Sequence, residues 1–159
     1  MGTEIERKFL VKDDTWLPCV EGKTRILQGY LANDSTTTVR VRIRSDAAFL
    51  TIKGATAGIS RSEFEYPIPV VDAESMLREM AISPVIEKVR YRVCCGAHVW
   101  DLDVFGGDNA GLVLVEVELD AEDAAFEMPD WAGKEVSDDS RYYNVNLAQR
   151  PFSRWRPAD

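Results

Sequence analysis

This sequence predicts a mainly β fold of the α+β class, an eight-stranded antiparallel β-barrel with a few short helices. Three observations lead there. Eight segments alternate apolar and polar residues with a period of two, the spacers between them are short and rich in Gly, Asn, Asp and Ser, and few segments repeat at helical spacing. Short spacers join antiparallel neighbours, and closing eight such strands on themselves removes the exposed edges that an open sheet would leave. At 159 residues, 45% hydrophobic and 29% charged, the chain suits one domain, spanning 1–159, with a sizeable core.

The first strand, 3–11, reads TEIERKFLV and sets Glu4, Glu6 and Lys8 on one face against Ile5, Arg7 and Phe9 on the other. The second, 24–31, ends in LQGYL with Tyr30. The third, 37–45, separates Val39, Val41 and Ile43 from Arg40, Arg42 and Arg44. The fourth and fifth, 48–54 and 61–68, add Lys53 and then Arg61, Glu63 and Glu65. A helix over 72–80 follows, with Asp72 as its N-cap. The sixth strand, 85–94, aligns Lys88, Arg90 and Arg92, and the seventh covers 98–105. The eighth, 112–119, sets Val113, Val115, Val117 and Leu119 against Leu112, Leu114, Glu116 and Glu118. Helical patterns over 120–128 and 139–149 complete the chain, with no repeat, low-complexity stretch or linker.

Composition narrows the function. A net charge of -8 repels polyanions on average, so no nucleic-acid or acidic-membrane partner is expected. No apolar run approaches the roughly 18 residues of a membrane span, and MGTEIERKF is too acidic for a secretion signal; a cytoplasmic location is expected. Glu6 stands where a myristoylation site requires Ser or Thr. Cys19, Cys94 and Cys95 suggest neither a disulfide framework nor a zinc site, and reduced thiols acting as small hydrophobes account for them. His98 is the only histidine and falls at a turn, which argues against a Ser-His-Asp triad or a His-rich metal centre. Trp16, Trp100, Trp131 and Trp155 read as core or terminal anchors, with Trp16 and Trp155 also placed to cover an opening.

The charged faces are segregated by sign, whereas a face kept only for solubility interleaves both signs with Ser, Thr and Gln. Glu4, Glu6, Glu116 and Glu118 form an oxygen-only acidic pole suited to Mg2+ or Mn2+. Arg40, Arg42, Lys53, Lys88 and Arg90 form a basic pole suited to several phosphate oxygens, with bidentate Arg forks. A compact polyphosphate bridging metal and arginine needs both poles. Alternation alone leaves open whether these faces meet water or the barrel's inside. Phosphoryl transfer asks mainly for positioning, charge neutralisation and an oriented nucleophile. Lys8 can serve as a charge or, should its pKa fall among neighbouring cations, as part of a base, with Tyr30 as a polar partner. Without a GxxxxGK[ST] or GxGxxG loop, phosphate binding must come from side chains.

These segments resemble the CYTH proteins, also called triphosphate tunnel metalloenzymes. EIERKFLV is similar to their ExExK signature, and LQGYL, VRVR, LTIKG, SRSEFEY, IEKVRY, LDVFGG, LVEVEL and GKEVSDDSRYYNVNLA follow in family order over nearly the whole chain. The resemblance implies a tunnel with the charged faces inside. It implies divalent metal at Glu4, Glu6, Glu116 and Glu118, and triphosphate at Lys8, Arg40, Arg42, Lys53, Lys88 and Arg90. Lys8 and Tyr30 match a pair that activates water, Glu63 and Asp103 match polar tunnel positions, and Arg44, Arg61 and Arg92 are left unassigned. The chain looks most like the small bacterial tripolyphosphatases, which implies metal-dependent hydrolysis of the terminal phosphate of inorganic tripolyphosphate, a small-molecule substrate. A class IV-type adenylyl cyclase or a thiamine triphosphatase is the alternative within the family. A non-catalytic polyphosphate- or nucleotide-binding module is the alternative outside enzymes. The last helix is expected either to pack against the barrel or to close one tunnel end.

Overall fold

Eight of the nine strands in the computed structural model close on themselves. Residues 2–155 are described, so the ends of the expected 1–159 domain lie outside the described residues. The strands are β1 (Gly2–Val11), β2 (Val20–Asn33), β3 (Thr37–Arg44), β4 (Ala47–Gly54), β5 (Ser60–Ile68), β6 (Ile86–Cys95), β7 (His98–Phe105), β8 (Val113–Glu118) and β9 (Ala132–Glu135). Helix α1 (Val70–Met80) lies between β5 and β6, and α2 (Asn144–Gln149) follows β9. The pairings are antiparallel in the order β5-β4-β3-β2-β6-β7-β8-β1, and β1 closes the barrel by pairing Gly2 with Glu63 and Ile5 with Ser60 of β5. The short β9, which has no signal of its own in the sequence, pairs with β1 at Phe9 and Val11, beyond the stretch that β5 occupies.

Alternation turns the barrel inside out relative to an ordinary core. Outward apolar residues form two clusters. In one, Phe9, Val93, Trp100, Leu102, Val115 and Val117 are covered by Trp16, Leu119, Trp131 and Ala132. In the other, Val41 and Ala48 lie under Ala73 of α1. The helix sits so close to β2 that a Cβ on Gly29 would come within 2.7 Å of Leu77 Cδ2. A third cluster fills one end of the barrel: Tyr30, Ile86, Phe105, Leu112 and Leu114 pack with Tyr142, Leu147 and Ala148 of the C-terminal segment. That segment therefore both packs on the barrel and closes one end. Among the described residues, no helix is long and apolar enough to cross a membrane.

Two local expectations are corrected. Residues 120–128 form turns and irregular chain rather than a helix. Tertiary contacts override the weak helical preference there: the Phe126 ring lies 5.6 Å from that of Trp100 and 6.2 Å from that of Phe9, anchoring an extended cover before Pro129. Asp72 is not an N-cap, because α1 starts two residues earlier and is capped at Pro69; the carboxylate sits in the first turn, where the helix dipole favours it. The pattern over 139–149 divides into a single 3-10 turn, Ser140–Tyr142, and α2.

Candidate active site

The inward faces enclose a cavity of about 250 Å3, lined among the described residues by seven basic and seven acidic side chains. A wall with this much charge in balance is not a solubility device, since Glu4, Lys8, Arg40, Arg42 and Lys53 in it are buried and have lost water. Glu4, Glu6, Lys8, Tyr30, Arg40, Arg42, Lys53, Glu63, Arg90, Glu116 and Glu118 all line it. Lys88 and Asp103 do not: they are fully buried behind the wall, joined by a 2.7 Å ion pair. Of the arginines left unassigned, Arg44 and Arg61 line the cavity. Arg92 lies outside it, in an exposed pair with Glu21.

The acidic wall is set by register. Glu6 faces Glu118 and Lys8 faces Glu116 across β1 and β8. At the mouth, Lys53 Nζ bonds both oxygens of Glu4 at 3.1 and 3.2 Å, and Arg61 Nε reaches Glu4 Oε1 at 3.4 Å. Burial pushes the Glu6 carboxyl up, and Glu116 and Glu4 beside it push it well above 4.5. Burial acts on Glu116 in the same direction, but Lys8 and a hydrogen bond from Glu6 overcome it, so Glu116 stays ionised. Glu63 and Glu4 form a second such pair: burial and Glu4 raise Glu63, whereas Lys53 and the hydrogen bond from Glu63 hold Glu4 down against its own burial. Two carboxyl-carboxylate contacts in one wall mark a donor set short of cations, and its all-oxygen chemistry fits a hard divalent ion. Among the described residues, no three acidic, histidine or cysteine side chains are already gathered into a ligand shell.

The basic wall is short of anions. Arg40 Nη2 bonds Thr51 Oγ1 at 3.2 Å and reaches Glu65 at 3.5 Å, but its buried Nε has no partner. Burial, then Arg40 and Arg90, pushes the Arg42 guanidinium down; an anion beside it would relieve that crowding. Arg42 Nε donates to Gln28 Oε1 at 2.9 Å, and Gln28 Nε2 donates to Tyr30 Oη at 3.0 Å, which leaves the Tyr30 hydroxyl hydrogen free to point elsewhere. Arg90 grips Asp103 with two bonds of 2.8 and 2.9 Å.

Lys8 departs from one sequence expectation. Its neighbours are carboxylates, not cations: burial alone would lower the ammonium's pKa, but Glu116, Glu6 and Asp103 raise it above 10.5. Its Nζ lies 3.6 Å from Glu116 and donates to the Tyr142 carbonyl at 3.1 Å. In the metal-free fold these carboxylates therefore favour the charged form of Lys8. Trp16 packs on Tyr91, and Trp155 on Tyr142 and Phe152; neither lines the cavity.

Glu65, grouped by parity with Arg61 and Glu63 but given no role, is also on the cavity wall, as are Asp101, Ser137, Tyr143 and Asn144, which sequence reasoning left out. Strand parity could have found Asp101, two residues from Asp103. Nothing local marks the other three. Ser137 accepts from the Lys8 backbone N–H at 2.9 Å, and Asn144 begins α2; both arrive with the C-terminal segment.

Comparison with known proteins agrees with this geometry. A family model for the CYTH domain matches residues 2–151. The inorganic triphosphatase of Acetivibrio thermocellus is 44% identical over 156 residues, covering 98% of this chain and 99% of that protein. The inorganic triphosphatase of Nitrosomonas europaea is 41% identical over 153 residues, covering 92% and 97%. A crystal structure of an inorganic triphosphatase superposes with a TM-score of 0.64 at 38% identity, over 93% of this chain and 95% of that one.

Proposed function

Because the chain belongs to the CYTH domain family, we propose that it is a triphosphatase that hydrolyses the terminal phosphoanhydride bond of inorganic tripolyphosphate, acting as one tunnel domain over 1–159 in the cytoplasm. The observation that carries the reading is the meeting of a cation-poor acidic wall and an anion-poor basic wall in one cavity closed at one end. A linear triphosphate is compact and bears charge along its whole length, so it can satisfy both walls at once. Water attacks the terminal phosphorus, the bond to the bridging oxygen breaks, and orthophosphate and diphosphate leave.

Arg40, Arg42, Lys53 and Arg90 would bind the phosphate oxygens by charge-assisted hydrogen bonds. The Lys8 ammonium and Tyr30 hydroxyl would orient the attacking water and hold charge near it, while Lys88 supports the wall from behind. The loose transition state of phosphoryl transfer asks little of a base, so a cationic Lys8 is compatible with turnover. Glu4, Glu6, Glu116 and Glu118, with Glu63 beside them, would hold Mg2+ or Mn2+. When bound, such an ion neutralises charge on the phosphate oxygens.

Phosphate release from tripolyphosphate, ATP and thiamine triphosphate, measured in parallel with Mg2+, Mn2+ or chelator, tests the reading. Metal-dependent turnover strongest on tripolyphosphate supports it. Cyclic AMP from ATP would instead identify a cyclase, and tight binding without turnover a binding module. Arg40→Ala is expected to lose triphosphate binding, and Glu116→Ala to weaken metal dependence.

Metal binding has a readout apart from activity. The raised pKa of Glu6 means that the metal-free fold keeps a proton that the unfolded chain releases near 4.5. That contribution to stability is full below 4.5 and is lost as pH rises through the folded value. Glu6 would have to give up this proton to hold a divalent ion, so the metal-induced rise in Tm should grow between pH 5 and pH 8. A rise in Tm that does not change with pH would remove Glu6 from the metal set.

A further inference from the structure

We propose that Asn144 donates an amide hydrogen bond to the triphosphate at the closed end of the cavity, with Lys88 fixing the amide from behind. This rests on the triphosphate reading above and gives a substrate contact to a residue that the strand pattern does not reach and that lies, with no role attached, in the segment GKEVSDDSRYYNVNLA.

The geometry is a relay of fixed orientations. Arg90 holds Asp103 through two bonds, Asp103 Oδ2 accepts from Lys88 Nζ at 2.7 Å, and Lys88 Nζ donates to Asn144 Oδ1 at 3.0 Å. The Asn144 atom that faces Lys88 is the carbonyl oxygen, which accepts this N–H. The Nδ2 group is thereby turned away from Lys88, and among the described residues no acceptor takes it. Lys88 lies behind the wall, whereas Asn144 lines the cavity with Lys8 and Tyr30. The N–H donors of this amide are therefore presented to the space that the substrate would occupy.

The position suits a neutral donor. Lys8, whose Nζ binds the carbonyl of Tyr142, brings a full charge to the same end of the cavity. A further ammonium in place of the amide would have to be desolvated beside Lys8, Lys88 and Arg90. An amide contributes a preorganised dipole without that cost, in a setting where donors aimed at developing charge count most. Lys88, which the strand pattern groups with the phosphate ligands, acts here as a positioning residue.

The competing explanation is that Asn144 merely ties α2 to the barrel. Asn144→Asp and Asn144→Ala separate the two. The Asp variant keeps the acceptor for Lys88 and a favourable residue at the helix start but loses both N–H donors; the Ala variant loses acceptor and donors without adding charge. The expected result is a fall in kcat/KM for tripolyphosphate in both variants, by about tenfold to a thousandfold. Tm should stay at or above wild type in Asn144→Asp and drop by a few degrees in Asn144→Ala. Full activity in either variant overturns the proposal: in Asp alone it shows a tether, and in Ala alone it shows that the Asp carboxylate only repels the anion. If wild type itself fails to turn over tripolyphosphate, the hydrolase reading falls separately. The rise in Tm caused by tripolyphosphate then decides for the same three proteins: a smaller rise in both variants supports the contact, and an equal rise in either removes it.

Discussion

Lys53 and Lys88 are both buried lysines on inward faces of barrel strands, and their surroundings could hardly differ more. Lys53 lies on the cavity wall between Glu4 and Glu63, with its partner Glu63 directly across β5. Lys88 is opposite Phe105 in register, 5.3 Å above that ring, and spends its donors on Asp103 and Asn144. Burial lowers the pKa of both. For Lys53 repulsion from Arg40 adds to it, and for Lys88 the balance falls to about 7, with Asp103 opposing and Arg90 and Arg42 assisting. The difference teaches that strand parity assigns a side chain to the inside, while its depth along the barrel decides whether it meets substrate or scaffold. Inward residues of β1 run from Glu4 through Glu6 and Lys8 to Leu10, and Leu10 faces Leu114 in the plugged end. Lys88 belongs to the layer next to that plug.

The largest expected effect is on the cavity side. Lys53→Ala should lower kcat/KM for tripolyphosphate by about a hundredfold to a thousandfold, roughly 3–4 kcal/mol of transition-state binding. Its stability should change little, because Arg61 still neutralises Glu4. Unchanged steady-state kinetics in this variant would erase the distinction between the two lysines.

Lys88→Met should do the reverse and act first on stability. Breaking a buried pair by removing one partner costs up to about 3–5 kcal/mol, and less than that at neutral pH here, because Arg90 continues to hold Asp103 and burial has already pushed the Lys88 ammonium down to about 7. Urea denaturation at neutral pH measures it. A stable variant with lost triphosphate binding would make Lys88 a ligand after all.

A pH titration sharpens the same contrast. Lys88 titrates near 7 in the fold and near 10.5 when unfolded, so between these values the unfolded chain binds the extra proton. Stability attributable to this residue then rises with pH, by up to about 1.4 kcal/mol per unit, and is lowest below 7. Wild type should gain on Lys88→Met as pH rises from 7 to 10; parallel curves would place the titration elsewhere.

The smallest effect is expected outside the barrel. Arg7, of opposite parity to Lys8, bonds Glu135 with its Nε at 2.9 Å and lies over the Phe126 ring at 4.9 Å, about a third exposed. Solvent screens such pairs, so Arg7→Ala should cost less than about 1 kcal/mol in Tm measurements and leave turnover intact. A large loss of activity would mean that the outer face is coupled to the tunnel.

Much of the site was legible because charge and parity are local. Glu4, Glu6 and Lys8, Arg40 and Arg42, and Glu116 and Glu118 each sit two residues apart, and a two-residue period sends each set to one face wherever the strand lies. The neglected Arg44, Arg61 and Glu65 follow the same rule. Ser137, Tyr143 and Asn144 could not be found that way: they reach the cavity from beyond the eighth strand, through β9 and the segment that closes the barrel end. The failed helix over 120–128 has a related cause, since the apolar cover it supplies is demanded by Phe9 and Trp100, over 20 residues away or more in the chain.

By itself, then, the sequence determined the eight strands of the barrel, which of their residues share a face, and that two faces of opposite charge exist, because backbone geometry imposes a period of two regardless of context. Only the tertiary structure decided that those faces turn inward, that Lys53 meets the cavity while Lys88 stands behind it, and that carboxylates rather than cations surround Lys8. Closure, register and the C-terminal plug fix which charges are neighbours, and the energy of a buried charge depends on its neighbours rather than on its place in the chain.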